Sequence, residues 1–166
     1  MKLDRYQRLS LYNQLKILKS VENTDEYDIW IQILHEGFEY NYDDLFDWLH
    51  EPTSKDISEF VIEVLDMFRW IEHYKRDNPS DIEICGNYNS SFRGFDGNHE
   101  GKYCGYANFL IKDKGLWEES KNGIANSHSP MVDIYYKMLT VFKPNGIYAF
   151  EYPLTKIQVE QILAVH

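Results

Sequence analysis

Apolar residues recur at helical spacing along most of the chain, and that spacing predicts its elements. Leu11, Leu15 and Leu18 make a stripe over about residues 4–20. Asp4 is placed to cap the start, and Gln7, three residues on, completes a capping box. A second helix is expected after Asn23-Thr24, running through Trp30, Ile33 and Leu34 to a stop at Gly37. A short third one covers about Asp43 to His50, with Leu45, Trp48 and Leu49 facing one way and Asp43, Asp47 and Glu51 the other. The most sustained pattern follows Thr53, its expected cap. Ile57, Phe60, Val61, Val64, Leu65, Phe68 and Ile71 keep the helical period, and Ile62 and Trp70 widen the apolar face. A helix so apolar is either central to the fold or shared with another subunit.

The period stops over residues 77–95. Ile82-Glu83-Ile84-Cys85 is expected as a brief strand, pairing near Tyr148-Ala149-Phe150, and residues 86–91 as turn. A fifth helix is expected from Asp96, with Tyr103, Tyr106, Ala107 and Leu110 inward. Residues 113–129 form a long irregular connection, of the kind that is functional or mobile in compact domains. Ser129-Pro130 opens a sixth helix, whose stripe is Met131, Ile134, Tyr135, Met138, Leu139 and Phe142. A seventh follows Thr155, with Gln158 completing a capping box and Leu154 packing on Val159. The expectation is one all-α domain over residues 1–166, a compact bundle of six or seven helices with at most one very short strand pair.

Composition narrows the function classes. The chain is long enough to build a core without staples. It is 43% hydrophobic and 16% aromatic, with thirteen tyrosines, which suits half-buried pocket walls or subunit contacts; a homo-oligomer is expected. The net charge of -10 is concentrated early, with 17 acids and 9 bases in residues 1–78. Such a surface repels phosphate backbones, so nucleic acid is not an expected partner. No apolar run reaches membrane-spanning length, and the opening Met1-Lys2-Leu3-Asp4-Arg5 has no signal-peptide core. Cys85 and Cys104 form no CxxC and are expected as reduced thiols in a cytoplasm.

The candidate chemistry gathers in residues 92–109, where glycine, acid and tyrosine crowd a helix start. Asp96 and Glu100, four apart, share a face; they either divide acid–base work or cap a helix and favour its dipole. Gly94, Gly97, Gly101 and Gly105 match no phosphate-binding signature, and Gly101 with Gly105 is expected to mark close helix contact. His35-Glu36-Gly37-Phe38-Glu39 fails the HExxH pattern. Cys85, His99 and Cys104 lack the short paired spacings of a metal site, so no metal or cofactor is expected. The run from Glu39 to Glu51, five acids and no base, is a solvated face or a dock for a cation or basic partner. Gln7 and Gln14, seven apart, project beside the leucine stripe. They either bond loop backbone or line a polar pocket with Tyr103 and Tyr106, Arg93 supplying charge.

Three stretches resemble the YfbU family of bacterial and archaeal proteins. They are Gln7-Arg8-Leu9 with Asn13-Gln14 and Lys16; Phe92-x-Gly94-Phe95-Asp96-x-x-x-Glu100-x-x-Tyr103-x-Gly105-Tyr106-x-x-Phe109; and Asn126, Pro130-Met131 and Tyr135-x-x-Met138-Leu139. The resemblance runs over the whole chain and implies a cytoplasmic multihelical protein. It brings no catalytic residue. Some family members join this domain to a helix-turn-helix domain, which implies a ligand-sensing or interaction module; no such added domain is expected here. The reading is a non-catalytic module with a small-molecule or protein partner, its ligand-binding candidates Gln7, Gln14, Arg93, Asp96, Glu100, Tyr103 and Tyr106. The alternative is a small hydrolase using Asp96 and Glu100 at a pocket edge.

Overall fold

The computed structural model describes residues 2–123 and 126–164, and is all-α among them. Its contacts gather into two compact units, Met1–Pro52 and Thr53–His166.

In the first unit, helix α1 (Arg5–Glu22) packs on α2 (Asp28–Glu36), followed by 3-10 turns at Glu39–Asn41 and Asp43–Phe46. The predicted capping box is present: the Tyr6 and Gln7 amides donate to Asp4 Oδ1, each at 2.8 Å, and the Asp4 amide donates to Gln7 Oε1 at 3.0 Å. Gly37 ends α2 in the left-handed region, φ 78°, as its sequence position foretold. The small core is Ile33, Leu34, Tyr42 and Leu45. The third predicted helix is shorter and tighter than expected. Only Asp43–Phe46 is helical, in 3-10 form, and Trp48 and Leu49 are exposed rather than inward. A run this short does not repay helix nucleation, and the Trp48 indole N–H donates to the Leu45 carbonyl at 3.0 Å.

In the second unit, α3 (Lys55–Asp77) is the central helix. Val61, Val64, Leu65, Met67, Phe68 and Ile71 are buried along it, and α5 and α6 pack on it. The apolar width that left central and shared positions open is therefore used inside the chain. Ser54 caps it in place of Thr53, its Oγ accepting from the Ile57 amide. The expected strand Ile82–Cys85 is instead a single helical turn, α4, capped by Asp81. No strand occurs among the described residues, and the Ala149 amide turns back to the Phe142 carbonyl at 2.9 Å. A four-residue apolar run carries too little periodicity to separate strand from helix, and the cap decides it.

Helix α5 is Gly101–Asn108, five residues later than expected, and continues as a π turn, Phe109–Asp113. The connection beyond it includes a 3-10 segment, Glu118–Gly123; Ile124 and Ala125 lie outside the described residues. Helix α6 (Val132–Phe142) and α7 (Lys156–Leu163) complete the unit. The Thr155–Gln158 box is present, and Leu154 and Val159 are both buried. Ser129-Pro130 does not open α6: its N-cap position is Met131, which has no capping side chain of its own. The substitute comes from elsewhere in the chain.

Candidate functional site

Residues 92–100 form an irregular strap across the core of the second unit, and both oxygens of its Glu100 carboxylate are occupied by backbone amides. Glu100 is only 8% exposed. Its Oε1 accepts from the Met131 amide at 2.7 Å and the Val132 amide at 2.8 Å, and its Oε2 accepts from the Asp96 amide at 2.9 Å. The first two donors are orphan N–H groups at the start of α6, where a negative charge also meets the positive end of the helix dipole. Glu100 therefore caps a helix that begins 32 residues later.

Asp96 is 3% exposed. It does not cap α5. Its Oδ1 accepts from the Asn98 amide at 3.0 Å, closing a local turn, and its Oδ2 meets the His99 Nδ1. A turn at 97–99 satisfies the aspartate locally, which is why the helix starts only at Gly101. Asn126 seals the outside of the strap, its Oδ1 accepting from the Gly97 amide at 3.0 Å and the His128 amide at 2.8 Å. A side chain on Gly97 would meet the Asn126 amide nitrogen at 2.9 Å, so the space that glycine leaves is already filled. Gly101 and Gly105 mark no contact: a Cβ on either meets nothing within 4 Å.

Beneath the strap, the Tyr135 hydroxyl accepts from the Arg93 amide at 3.1 Å and donates to the Gly94 carbonyl at 3.2 Å. Burial pushes its pKa well above the usual tyrosine range, so it stays a donor. Gly94 is buried at φ 81°, a conformation that favours glycine. The Phe92, Phe95, Tyr103 and Tyr135 rings pack on one another and on Phe60 and Phe68, at centroid distances of 5.3–6.5 Å.

The structure thus places Arg93, Asp96 and Glu100 on one strap, with Tyr103 of α5 packed on its Phe95, Arg93 stacked 3.5 Å over Tyr88 and Tyr106 beside Phe109. The two glutamines belong to the first unit. Gln7 serves the α1 cap, and Gln14 lines a groove of about 470 Å³ with Leu11, Leu15, Leu18, Trp30 and Trp48. Asn126 and Tyr135, which hold the strap, stand out in the sequence only through the resemblance. A loop asparagine and one tyrosine of a helical stripe carry no local mark of their long-range partners.

Chemically, a buried carboxylate holding an imidazole is the base-and-orienter half of a nucleophilic site. Among the described residues no serine, threonine or cysteine is hydrogen-bonded to His99, and no group of three or more His, Cys, Asp or Glu is placed to hold a metal. Both cysteines are free thiols. The His99 imidazole first, then the Asn98 amide, keep the Asp96 carboxyl below the usual carboxylate range, against the opposing effect of burial. A lowered value suits a fixed anion rather than an acid held ready to donate.

The sign of the pH dependence follows. The folded pKa lies below the unfolded value of about 3.9, so the stabilisation is complete above that pH and is lost as pH falls through the lowered value. Unfolding midpoints followed from pH 5 to pH 2 are expected to fall more steeply for the parent than for Asp96→Asn. Equal slopes would remove Asp96 from this role.

A family model described as the YfbU domain matches residues 1–165. Among curated relatives, the UPF0304 protein MJECS11 of Methanocaldococcus jannaschii is 38% identical, over 97% of this chain and 98% of its own length.

Proposed function

The chain belongs to the YfbU family, and on that footing we propose that it is a non-catalytic cytoplasmic binding module working as a homo-oligomer, two copies meeting through α1. The observation that carries this is a helix with one open face: Leu11, Tyr12 and Leu15 of α1 pack on the small core, and the side carrying Ile17 and Val21 stays exposed. Eighteen residues long, about 27 Å, α1 has no buried residue at all. Gln7, Ser10, Gln14, Ile17 and Val21 follow each other at spacings of three and four, the seam pattern of paired helices. Tyr6 and Leu18 flank them, and none of the seven carries a charge. Tyr6 is 80% exposed and Val21 76%. Ile17, Leu18 and Val21 make an exposed apolar end to this uncharged strip, and grouped exposed apolar side chains have a covering partner as an ordinary explanation.

A second copy suits the strip on two counts. Amides donate and accept, so Gln14 is complementary to its own kind across a two-fold axis. Charge matters too, because copies at net -10 repel over most of their surface. The exception is α1, with four bases and one acid, whereas residues 23–52 hold nine acids and no lysine or arginine. The uncharged seam of α1 therefore repels a second copy less than the acidic remainder does. Leu18 belongs to both the seam and the groove, so pairing also shields the groove's apolar wall.

Light scattering at micromolar concentration is expected to give a dimer or a multiple of it. The Ile17→Asp, Val21→Asp double variant is expected to give monomer with an unchanged helical signal, because both side chains are solvent-facing within the chain. A parent that runs as clean monomer, or a double variant that assembles as the parent does, would retire the proposal.

A further inference from the structure

We propose that a cavity on the other side of α1 is a binding site for a small organic anion, a phosphate or carboxylate group carried on an apolar or aromatic body. The cavity, of about 290 Å³, is lined by Arg5, Arg8, Leu9, Tyr12, Leu34 and His35. Arg5 and Arg8 are three residues apart and Tyr12 four further on, so the helix period sets them on one side, turned away from Ile17 and Gln14. The site therefore stands or falls separately from dimerisation.

The charge balance is what singles it out. The chain has 27 acids and 17 lysines and arginines, yet two arginines converge here and no carboxylate lines the cavity. Neither forms an ion pair among the described residues, and the hydrogen bond found for Arg8 goes from its Nη1 to the Tyr42 hydroxyl at 3.4 Å. Each guanidinium presents a fork of donors matched to phosphate or carboxylate oxygens. Arg8 has a structural duty as well: its guanidinium occupies the space a side chain on Gly37 would need, at the end of α2. That accounts for Arg8 and leaves Arg5 unexplained.

The rest of the lining fits the same ligand. The His35 ring packs against Tyr12 at 5.9 Å, and its Nδ1 is engaged by Glu36 at 2.9 Å, which leaves Nε2 as a further donor when the ring is protonated. Leu9, Leu34 and the Tyr12 ring offer apolar surface to the ligand's body. The volume sits at the small end of ligand sites, too small for a dinucleotide and sufficient for one ring bearing one anionic group.

The test is a titration of the full chain at low salt with inorganic phosphate, phenyl phosphate and benzoate, followed by amide chemical shifts. Saturable shifts confined to residues 5–12 and 34–37 are expected, with phenyl phosphate at least about fivefold tighter than phosphate because its ring is also buried. The ratio of phenyl phosphate to benzoate decides between the two head groups. Arg5→Gln, at an exposed position, is expected to weaken binding about tenfold or more. Lys16→Gln, an exposed base of the same helix outside the cavity, is expected to leave it unchanged. Shifts that do not saturate, or an equal loss in both variants, would reduce the site to a generic basic surface and overturn the proposal.

Discussion

Glu100→Ala is expected to destabilise the protein by about 3–5 kcal/mol, at the severe end for a single substitution. The carboxylate accepts three backbone amides within 2.7–2.9 Å. The alanine protein leaves the Met131, Val132 and Asp96 N–H groups without that acceptor, each orphan donor costing about 1–3 kcal/mol, with part of the sum recovered by relaxation. Glutamine separates geometry from charge. Its single oxygen can still serve Met131 and Val132, but its NH2 then faces the Asp96 amide donor to donor. Glu100→Gln is therefore expected to lose about half as much. Urea melts followed by circular dichroism measure both, and the slope should stay constant if only native-state contacts change. An alanine variant within about 1 kcal/mol of the parent would show that α6 does not depend on this cap.

Phe95→Ala is expected to cost about 3–5 kcal/mol through a different cause, the cavity left in the aromatic cluster. The ring is fully buried and lies 5.5–6.5 Å from the rings of Tyr135, Tyr103, Phe92 and Phe60. Edge-to-face pairs such as Phe95–Tyr135 add about 0.5–1.5 kcal/mol beyond area. Phe95→Leu restores most of the volume and none of the ring contacts, so it should fall between alanine and parent. The strap couples the two sites, since the Ser127 amide donates to the Phe95 carbonyl and the Asp96 amide to Glu100. The double variant is accordingly expected to lose less than the sum of the singles, and strict additivity would deny that coupling.

Where the chain signals to itself over three or four residues, the signal was readable. The Asp4–Gln7 and Thr155–Gln158 boxes, the stop at Gly37 and the stripe of α3 are each a local interaction, so residue type and spacing carry them. Residues 82–85 and 43–50 failed because a short apolar run does not fix its own period, and neighbours such as Asp81 settled it. The start of α5 failed for another reason. Asp96 has the chemistry of a helix cap and uses it on a tight turn, a choice that depends on the His99 and Asn126 bonds around it.

By itself, then, the order of residues determined an all-α chain, the faces of its long helices and an acidity that sets α1 apart. Those follow from periodicity and charge, which are properties of neighbours along the backbone. Only the folded structure decided that Glu100 spends its charge on α6, that Tyr135 holds the strap, and that Arg5 and Arg8 share a cavity with His35. Each of the three joins residues more than twenty positions apart. Such pairings are selected by the free energy of satisfying buried donors and covering apolar surface in three dimensions, and no local spacing encodes them.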